Sequence, residues 1–397
     1  MDQSIVLINA KIYAENQIIS DGFIKIDGMK IQETGWMTNY KADDQFYVID
    51  LQGQSVIPGM IDIHTHGTAG ADVMDAEIAS LETIVRALPQ EGTTSFLATT
   101  MTQSDENISK ALKNAANFIK SYQKPGQSEL LGIHLEGPFV NPSMAGAQPV
   151  DFIIQPEIPR FENWQDLAEG TIKLVTLAPE QKGGLELIRY LKENEIVISI
   201  GHSDATFAEV KRAIGAGATQ VTHLFNQMKG LHHREPGVVG AALLLEELYA
   251  ELIVDGIHVC PAMIQLAYQN KKSEKLILIT DSMRAKCLKN GNYDLGGQMV
   301  IVKDEMAVLE NGTLAGSVLK LSDALKNMLK YCDDCTLEDV IRMTSTNPAK
   351  QLNIRDRKGS IKAGMDADLV VLNNDYDVLM TFCRGILSYQ KESPMED

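Results

Sequence analysis

The stretch IDIHTHG at residues 61–67 ends an apolar run that begins at Val56, and it holds two of the chain's eight histidines. In a β-strand, residues i and i+2 point to the same face. His64 and His66 are therefore predicted to project side by side from the carboxyl end of one strand. Two imidazoles in this arrangement can bind one metal ion, so the stretch predicts a strand that leads into a metal site.

Apolar runs of this kind alternate with segments of helical periodicity over residues 56–357. Such alternation is typical of βα units around a parallel sheet. Because a (β/α)8 TIM-type barrel takes about 250 residues, eight units with loop insertions fit this length. We therefore predict an α/β barrel. The eight runs are SVIPGMIDIHTHG (55–67), TTSFLATT (93–100), LLGIHLEGPF (130–139), IKLVTLAPE (172–180), VISIGHSD (197–204), TQVTHLFN (219–226), ELIVDGIHV (251–259) and LILITDSM (276–283).

Two connecting segments also carry a structural pattern. Residues 205–218 place Phe207, Val210 and Ile214 at helical spacing and have glycines near their end, which predicts a helix. Residues 289–312 follow the eighth run and carry Asn-Gly turn signals near both ends. They predict a β-hairpin on the face that holds the histidines.

The two chain ends carry a different, β-rich pattern. Residues 5–49 read as short alternating strands, and a similar pattern returns in KGSIKAGMDADLVVLN at residues 358–373. We predict that residues 1–55 and 358–397 pair into one small, discontinuous β-sandwich domain. The catalytic barrel is then expected over residues 56–357.

The composition limits the partners and the compartment. A formal net charge of -17 repels nucleic acids and anionic membranes. No run approaches the roughly 18 apolar residues of a membrane span, and the first residues lack a secretory signal pattern. Five cysteines, an odd number, fit reduced thiols better than disulfides. We expect a cytoplasmic protein without nucleic-acid or membrane partners, in which an anionic substrate needs a local basic pocket.

Histidines and carboxylates collect at the carboxyl ends of the predicted strands. A lone histidine is more often structural than a ligand. However, active sites of this barrel lie at that face, so side chains from separate strands would meet there. Imidazoles and carboxylates without cysteine suit Zn, Fe, Co or Mn, and they favour metal-assisted hydrolysis of an amide or ester. The residues are His64, His66, His134, Glu136, His202, His223, His258 and Asp281.

A series of motifs resembles the N-acetylglucosamine-6-phosphate deacetylases of the amidohydrolase superfamily. The resemblance spans nearly the whole chain. HxH alone is only a moderate signal, whereas HLEGPF followed by THLFN and HREPG in this order is much more specific. The matching segments are GMIDIHTHG, GIHLEGPF, GHSDA, THLFNQM, HHREPG, VDGIH, LITDSM, GTLAGS and, in the terminal domain, GMDADLVVLN.

The resemblance implies roles for the metal ligands. Glu136, His202 and His223 match the principal metal ligands, and Asp281 matches the catalytic aspartate, which also contacts metal. The pair at residues 64 and 66 matches the ligands of a second metal, which implies two divalent ions per chain with Glu136 between them. The resemblance gives His134 no clear ligand role; it shares a strand face with Glu136, so it either supports the site or is a buried structural residue.

The resemblance also implies sugar-phosphate contacts. Arg234 is expected to grip the phosphate and to reach the neighbouring subunit's site, which implies a homodimer. Gln148 stands where some relatives carry histidine, and Gln227 stands where alanine is usual, so both can adjust the sugar pocket. An ordinary helix cap is the alternative role for Asn226 and Gln227. The implied contacts are Ala147, Gln148, Asn226, Gln227, Arg234, His258, Leu314, Ala315 and Gly316.

The implied activity is hydrolysis of the acetamide of N-acetylglucosamine 6-phosphate to glucosamine 6-phosphate and acetate, in amino-sugar catabolism. The galactosamine epimer is a close alternative substrate. A cyclic-amide hydrolase or deaminase of the same superfamily is a second alternative, which has no need of Arg234. A noncatalytic barrel subunit is the third, and loss of ligands would mark it.

Overall fold

The computed structural model describes residues 4–392. The predicted domain ranges also include residues 1–3 and 393–397, which lie outside the described residues. Eight parallel strands form a barrel, and a separate eight-stranded sheet is built from both chain ends. The predicted fold class is therefore confirmed, while the domain boundaries themselves stay predictions.

The barrel strands pair in parallel, each with the next one along the chain. The ring closes between the last and the first strand, where the Asp281 amide donates to the His64 carbonyl at 2.8 Å. In order, the strands are Met60–Thr65, Thr93–Thr99, Glu129–Glu136, Ile172–Leu177, Val197–Ile200, Gln220–Val221, Tyr249–Ile253 and Leu276–Ile279.

Burial explains why the barrel strands are visible as apolar runs. All four residues of Leu276–Ile279 and all five of Tyr249–Ile253 are buried. A strand of a parallel barrel is covered on both faces, so its sequence is continuously apolar instead of alternating. Helices cover the outside of the ring, and they are Ile78–Ala87, Asp105–Ser121, Ile158–Leu167, Gly184–Glu193, Phe207–Ala216, Gly237–Leu244, Pro261–Lys275, Leu321–Tyr331, Leu337–Ile341 and Asn347–Gln351.

The helix expected over residues 205–218 spans Phe207–Ala216. It begins after a capping box, in which the Thr206 side chain accepts from the Glu209 amide and the Glu209 side chain accepts from the Thr206 amide. Val210 and Ala213 of this helix are buried against the barrel. Within residues 4–392, none of the helices combines the length and the apolar character needed to cross a membrane.

The terminal sheet joins the amino and carboxyl ends of the chain. The strand Ser55–Pro58 belongs to this sheet, where it pairs with Ile5–Ala14 and Leu369–Leu372. The first predicted run is therefore divided, since its opening residues lie outside the barrel. The sheet has its own apolar core, and its remaining strands are Gln17–Asp27, Lys30–Trp36, Tyr47–Asp50, Val378–Cys383 and Ile386–Gln390.

The segment after the eighth barrel strand forms three antiparallel strands instead of the predicted hairpin. The strands are Gly291–Leu295, Gln298–Lys303 and Met306–Leu309. A second turn at Asp304-Glu305, where both residues have positive φ, adds the third strand. This small sheet packs against the carboxyl face of the barrel, where the Gln298 side-chain amide donates to the Ala147 carbonyl at 2.6 Å.

Candidate active site

Side chains from five barrel strands converge at the carboxyl face. Two groups of three ligand atoms form there, each with its atoms within 4.8 Å of one another. Five of the six residues are buried, and Asp281 is partly exposed. The first group is His64, His66 and Asp281, and the second is Glu136, His202 and His223.

Glu136 lies at the centre of the cluster. The Nε2 atoms of His202 and His223 lie 3.3 Å from its Oε1, and Nε2 of His64 lies 3.4 Å from the same oxygen. Its other oxygen, Oε2, lies 3.4 Å from Nε2 of His66. A charge-assisted hydrogen bond between such groups is normally about 2.7–2.9 Å long. The four imidazoles therefore surround Glu136 at distances longer than a strong charge-assisted hydrogen bond.

Asp281 completes the ring of ligand atoms. Its Oδ1 lies 3.1 Å from Nε2 of His66 and 3.5 Å from Nε2 of His64. It is 13% exposed, whereas Glu136 is 2% exposed. Asp281 is thus the carboxylate of the cluster that is more accessible from the pocket.

The outer nitrogens of three imidazoles have acceptors, which determines their tautomers. Nδ1 of His64 lies 2.9 Å from the Glu251 carboxylate, Nδ1 of His66 lies 3.2 Å from the Thr99 carbonyl, and Nδ1 of His202 lies 2.8 Å from the Met144 carbonyl. When Nε2 of such a ring binds a metal, Nδ1 carries the proton and donates it to this acceptor.

Three of the ligands sit on unusual backbone. His202, His223 and Asp281 have φ values of 46°, 31° and 49°, in the left-handed region that residues with a side chain rarely adopt. Each lies two residues beyond the end of its barrel strand. Strained backbone of this kind clusters at functional sites, where the surrounding packing holds it. The strain turns each side chain inward at the rim of the barrel.

Burial and charge act against each other at Glu136. Burial favours the neutral acid, but the facing imidazole of His64 and the contacts from His202 and His223 outweigh it and hold the pKa of Glu136 well below its usual range.

His134 is the buried imidazole beside this cluster. Burial and the neighbouring His64 ring lower the pKa of His134 well below its usual value, and its Nε2 lies 2.7 Å from the Thr176 hydroxyl. His134 packs edge-on against His64 and lies outside both groups of ligand atoms.

A pocket opens directly above the cluster. Its apolar lining includes Met101, Leu295 and Leu314. The lining residues from the predicted substrate set are Ala147, Gln148, Asn226, Gln227, His258, Leu314 and Gly316. His258 is fixed by Asp255, whose carboxylate lies 2.6 Å from its Nδ1.

Two predicted substrate residues do not line this pocket. Ala315 is fully buried, and its backbone amide donates to the Ala307 carbonyl. Its apolar side chain packs with the core under the three-stranded sheet. Arg234 is exposed on a loop, where its guanidinium contacts His233 at 2.9 Å. Within one chain, therefore, Arg234 is outside the pocket.

Gln148 contacts the metal-ligand cluster directly. Its side-chain carbonyl accepts from the Thr102 backbone amide at 2.8 Å, which fixes the orientation of the side chain. Its Nε2 then donates to Oε2 of Glu136 at 2.8 Å. Asn226 and Gln227 lie in a turn rather than at a helix start, so the alternative role of helix cap does not apply.

Two buried carboxylates, Asp62 on the first barrel strand and Glu251 on the seventh, are not among the residues predicted from the sequence. Glu251 holds His64, as described above. Asp62 accepts from the His64 backbone amide at 3.1 Å and from the Thr280 hydroxyl at 2.6 Å. Both are acidic residues inside apolar runs, which was the available signal. Burial raises the pKa of Asp62 to about 6.

The cluster fits a divalent metal by its own chemistry. Nε2 of His202 and Nε2 of His223 lie 3.1 Å apart, and Nε2 of His64 has no hydrogen-bond partner among the described residues. Ring nitrogens that converge in a buried space, with fewer hydrogen-bond partners than they need, are satisfied by a bound cation. Imidazole nitrogens and carboxylate oxygens without thiolates match a zinc-, iron-, cobalt- or manganese-type site.

The chain belongs to the amidohydrolase family, a metal-dependent family whose model matches residues 55–387. The N-acetylglucosamine-6-phosphate deacetylase of Bacillus subtilis (strain 168) is 48% identical to it over 391 residues, which cover 98% of both chains. The N-acetylgalactosamine-6-phosphate deacetylase of Escherichia coli O157:H7 is 35% identical over 90% of this chain and 97% of its own.

Solved structures agree with these relatives. A mutant N-acetyl-D-glucosamine-6-phosphate deacetylase from Mycobacterium smegmatis, in complex with N-acetyl-D-glucosamine-6-phosphate, matches with a TM-score of 0.90 and 29% identity. The match covers 97% of this chain and 99% of that one. The resemblance drawn from the sequence motifs is therefore confirmed.

Proposed function

We propose that this chain hydrolyses the acetamide of N-acetyl-D-glucosamine 6-phosphate to D-glucosamine 6-phosphate and acetate, in amino-sugar catabolism. The observation that carries the proposal is the convergence of four imidazoles and two carboxylates beneath a pocket, in a chain 48% identical to a deacetylase of this substrate. Cytoplasmic location is part of the same proposal, since the substrate is an intermediate of metabolism.

The site is proposed to hold two divalent ions. His64, His66 and Asp281 would hold one ion, and His202 and His223 the other, with Glu136 between them because its two oxygens face different imidazoles. Ions held there would lower the pKa of a coordinated water and polarise the acetamide carbonyl. Elemental analysis of protein purified without chelator should approach two metals per chain. The double variant His64→Asn/His66→Asn should approach one, and a fully active wild type with one metal would contradict the proposal.

Asp281 is the proposed general base and general acid. It is the more accessible carboxylate of the cluster, and its Oδ1 is held beside the two first-strand imidazoles. From that position it can take a proton from the attacking water and deliver it to the leaving amine.

The phosphate is proposed to bind at a subunit interface. Among the described residues that line the pocket, none is lysine or arginine, although the substrate carries a phosphate. Arg234 is exposed and free to reach a second copy of the chain, and a guanidinium can bind phosphate with paired hydrogen bonds. A homodimer in which Arg234 completes the neighbouring pocket is therefore proposed.

Arg234→Ala tests the phosphate contact. Loss of a charge-assisted contact should cost on the order of 2–4 kcal/mol, or roughly 30- to 1000-fold in kcat/KM, on the phosphorylated sugar. Activity on unphosphorylated N-acetylglucosamine should change little, because that sugar has no such contact to lose. Equal losses on both substrates would remove the phosphate assignment.

A panel assay for acetate and ammonia release tests the function itself. We expect acetate from N-acetylglucosamine 6-phosphate, and no comparable release from cyclic amides or from deaminase substrates. The galactosamine epimer is the second candidate substrate, and the 35% identical relative from Escherichia coli favours including it. A higher kcat/KM for that epimer would reassign the substrate, and no hydrolysis of any panel member would overturn the enzyme proposal.

A further inference from the structure

We propose that Glu251 is a positioning residue, which holds His64 in the tautomer and orientation that metal binding requires. This inference rests on the proposed metal-dependent function. Glu251 lies on the seventh barrel strand and is fully buried, on the far side of His64 from the ligand cluster. It lies in neither group of ligand atoms, so its role is to support a ligand rather than to bind the ion.

The carboxylate of Glu251 accepts hydrogen bonds from three directions. Its Oε2 lies 2.9 Å from Nδ1 of His64 and accepts from the His223 backbone amide at 3.3 Å. Its Oε1 accepts from the Gln220 side-chain amide at 2.7 Å. A buried carboxylate is costly unless such donors satisfy it. One side chain thus orients a ring from the first group of ligands and the backbone of a residue from the second.

The hydrogen bonds continue outward to the surface of the barrel. Gln220 is fully buried, and its side-chain carbonyl accepts from the Gln351 side-chain amide at 3.0 Å. Gln351 belongs to the helix Asn347–Gln351 and also contacts the Thr219 hydroxyl at 3.3 Å. Gln351 therefore orients the side-chain amide of Gln220, and Gln220 donates to Glu251. The series of hydrogen bonds ends at the Glu251 carboxylate, which faces Nδ1 of His64 as an acceptor.

This arrangement determines which nitrogen of His64 is free. With Nδ1–H donated to Glu251, Nε2 presents its lone pair to the cluster, where it has no hydrogen-bond partner among the described residues. A carboxylate on the outer nitrogen also makes the imidazole a better electron donor to a metal. If Glu251 were apolar, neither tautomer would be favoured and the ring would be free to turn. The ion of the first group would then bind more weakly.

Three variants separate positioning from simple packing. Glu251→Leu keeps the size but removes every acceptor. Glu251→Gln can still accept from His64 through its side-chain carbonyl. Its NH₂ group then faces the NH₂ group of Gln220, and this clash is removed only if the side-chain amides of Gln220 and Gln351 both rotate by 180°. The exchange Glu251→Gln/Gln220→Glu restores all the hydrogen bonds without turning, because residue 220 can then accept from both neighbours. The expected order of metal affinity is wild type, exchange variant, Glu251→Gln and Glu251→Leu, from tightest to weakest.

The measurement is titration of metal-stripped protein with Co²⁺ or Zn²⁺ against a competing chelator, with the visible spectrum of Co²⁺ as a second readout. Glu251→Leu should weaken one of two binding steps by about 10- to 100-fold, which is the range for loss of a partner behind a metal ligand. The exchange variant should recover most of that loss. Glu129→Gln, a buried carboxylate distant from the site, is the control and should bind both ions as the wild type does.

The failures of the inference and of the proposed function are distinguishable. A wild type that binds two ions and releases acetate, together with a Glu251→Leu variant of unchanged affinity, overturns the inference alone. An exchange variant no better than Glu251→Gln also overturns it, and this arm remains informative if Glu251→Leu fails to fold. A wild type that binds no ion in the same titration overturns the proposed function instead.

Discussion

The third barrel strand, Glu129–Glu136, carries a buried carboxylate at each end, and the two have opposite surroundings. Glu136, at the carboxyl end, faces four imidazoles. Glu129, at the amino end, faces the cations of Lys358 and Arg357. Both ends form groups of three potential ligands, because Glu129 lies close to Asp366 and Asp368. The carboxylates alone therefore do not distinguish a metal site from a structural one.

The amino-end cluster already contains its cations. Nζ of Lys358 lies 2.7 Å from Oε2 of Glu129 and 3.3 Å from Oδ2 of Asp366, and it also contacts Asp368. Arg357 contacts both Glu129 and Asp366. These pairs join the barrel to the terminal sheet. At the carboxyl end, by contrast, the groups that face Glu136 are imidazoles, whose ring nitrogens can bind a metal ion from solution.

Glu136→Gln should produce the largest effect that this comparison predicts. It removes the carboxylate between the two proposed ions, so kcat/KM should fall on the order of 10⁴-fold, or about 5.5 kcal/mol of activation free energy. Urea unfolding of the metal-free variant and the metal-free wild type separates this loss of activity from any loss of stability. The matched variant Glu129→Gln should lower the free energy of unfolding and leave kcat/KM nearly unchanged. Loss of activity in both variants would show that the two ends of the strand are not functionally distinct.

Lys358→Met should give the next largest effect, and it acts on stability. It leaves buried carboxylates without their central cation, which typically costs about 3–5 kcal/mol of unfolding free energy. Urea unfolding of the metal-free proteins measures the loss, while metal content and kcat/KM of the folded variant should remain close to wild type. A variant as stable as the wild type would show that Arg357 suffices to balance the cluster.

Asp281→Asn should reduce turnover while leaving metal bound by the second group. The amide keeps the shape of the side chain but cannot accept and deliver a proton, and such a loss is typically worth about 10²- to 10⁴-fold in rate. Elemental analysis alongside steady-state kinetics separates the two effects. Near-normal turnover would remove Asp281 from the proposed mechanism, and complete loss of metal would reassign it as an essential ligand.

The smallest predicted effect is a difference in acid sensitivity. Burial opposes ionisation of Glu129 and Asp366, but Lys358 and Arg357 outweigh it and lower both pKa values. In the unfolded chain the two groups have their ordinary pKa values of 4.5 and 3.8. Because the pKa values are lower in the folded protein, ionisation of these groups stabilises the fold at pH values above 4.5 and 3.8, and this stabilisation is lost as the pH falls through the folded-state pKa values. Asp366→Asn should therefore lose less unfolding free energy than the wild type between about pH 5 and pH 3. If the unfolding free energies of the metal-free variant and the metal-free wild type fell in parallel with pH, the carboxylates around Lys358 would not be the source of the acid sensitivity.

Much of the fold was predictable because burial leaves a direct trace in sequence. Strands covered on both faces appear as apolar runs, and each of the eight runs overlaps a barrel strand. The division of the first run at Gly59 was not predictable, since Ser55–Pro58 is as apolar as the barrel strand that follows it. The third strand of the small sheet was missed because Asp304-Glu305 forms a turn without glycine.

The sequence by itself determined the identity of the ligands and the order in which the barrel strands present them, because the pattern of each strand places its last residues at a known face. Tertiary structure alone decided how those ligands point and what supports them. The left-handed backbone of His202, His223 and Asp281 depends on packing at the barrel rim. The contact from Glu251 to His64 joins residues 187 positions apart, and such a contact exists only when the ring of strands closes. The residues next to His64 in the sequence therefore do not indicate that Glu251 will be its hydrogen-bond acceptor.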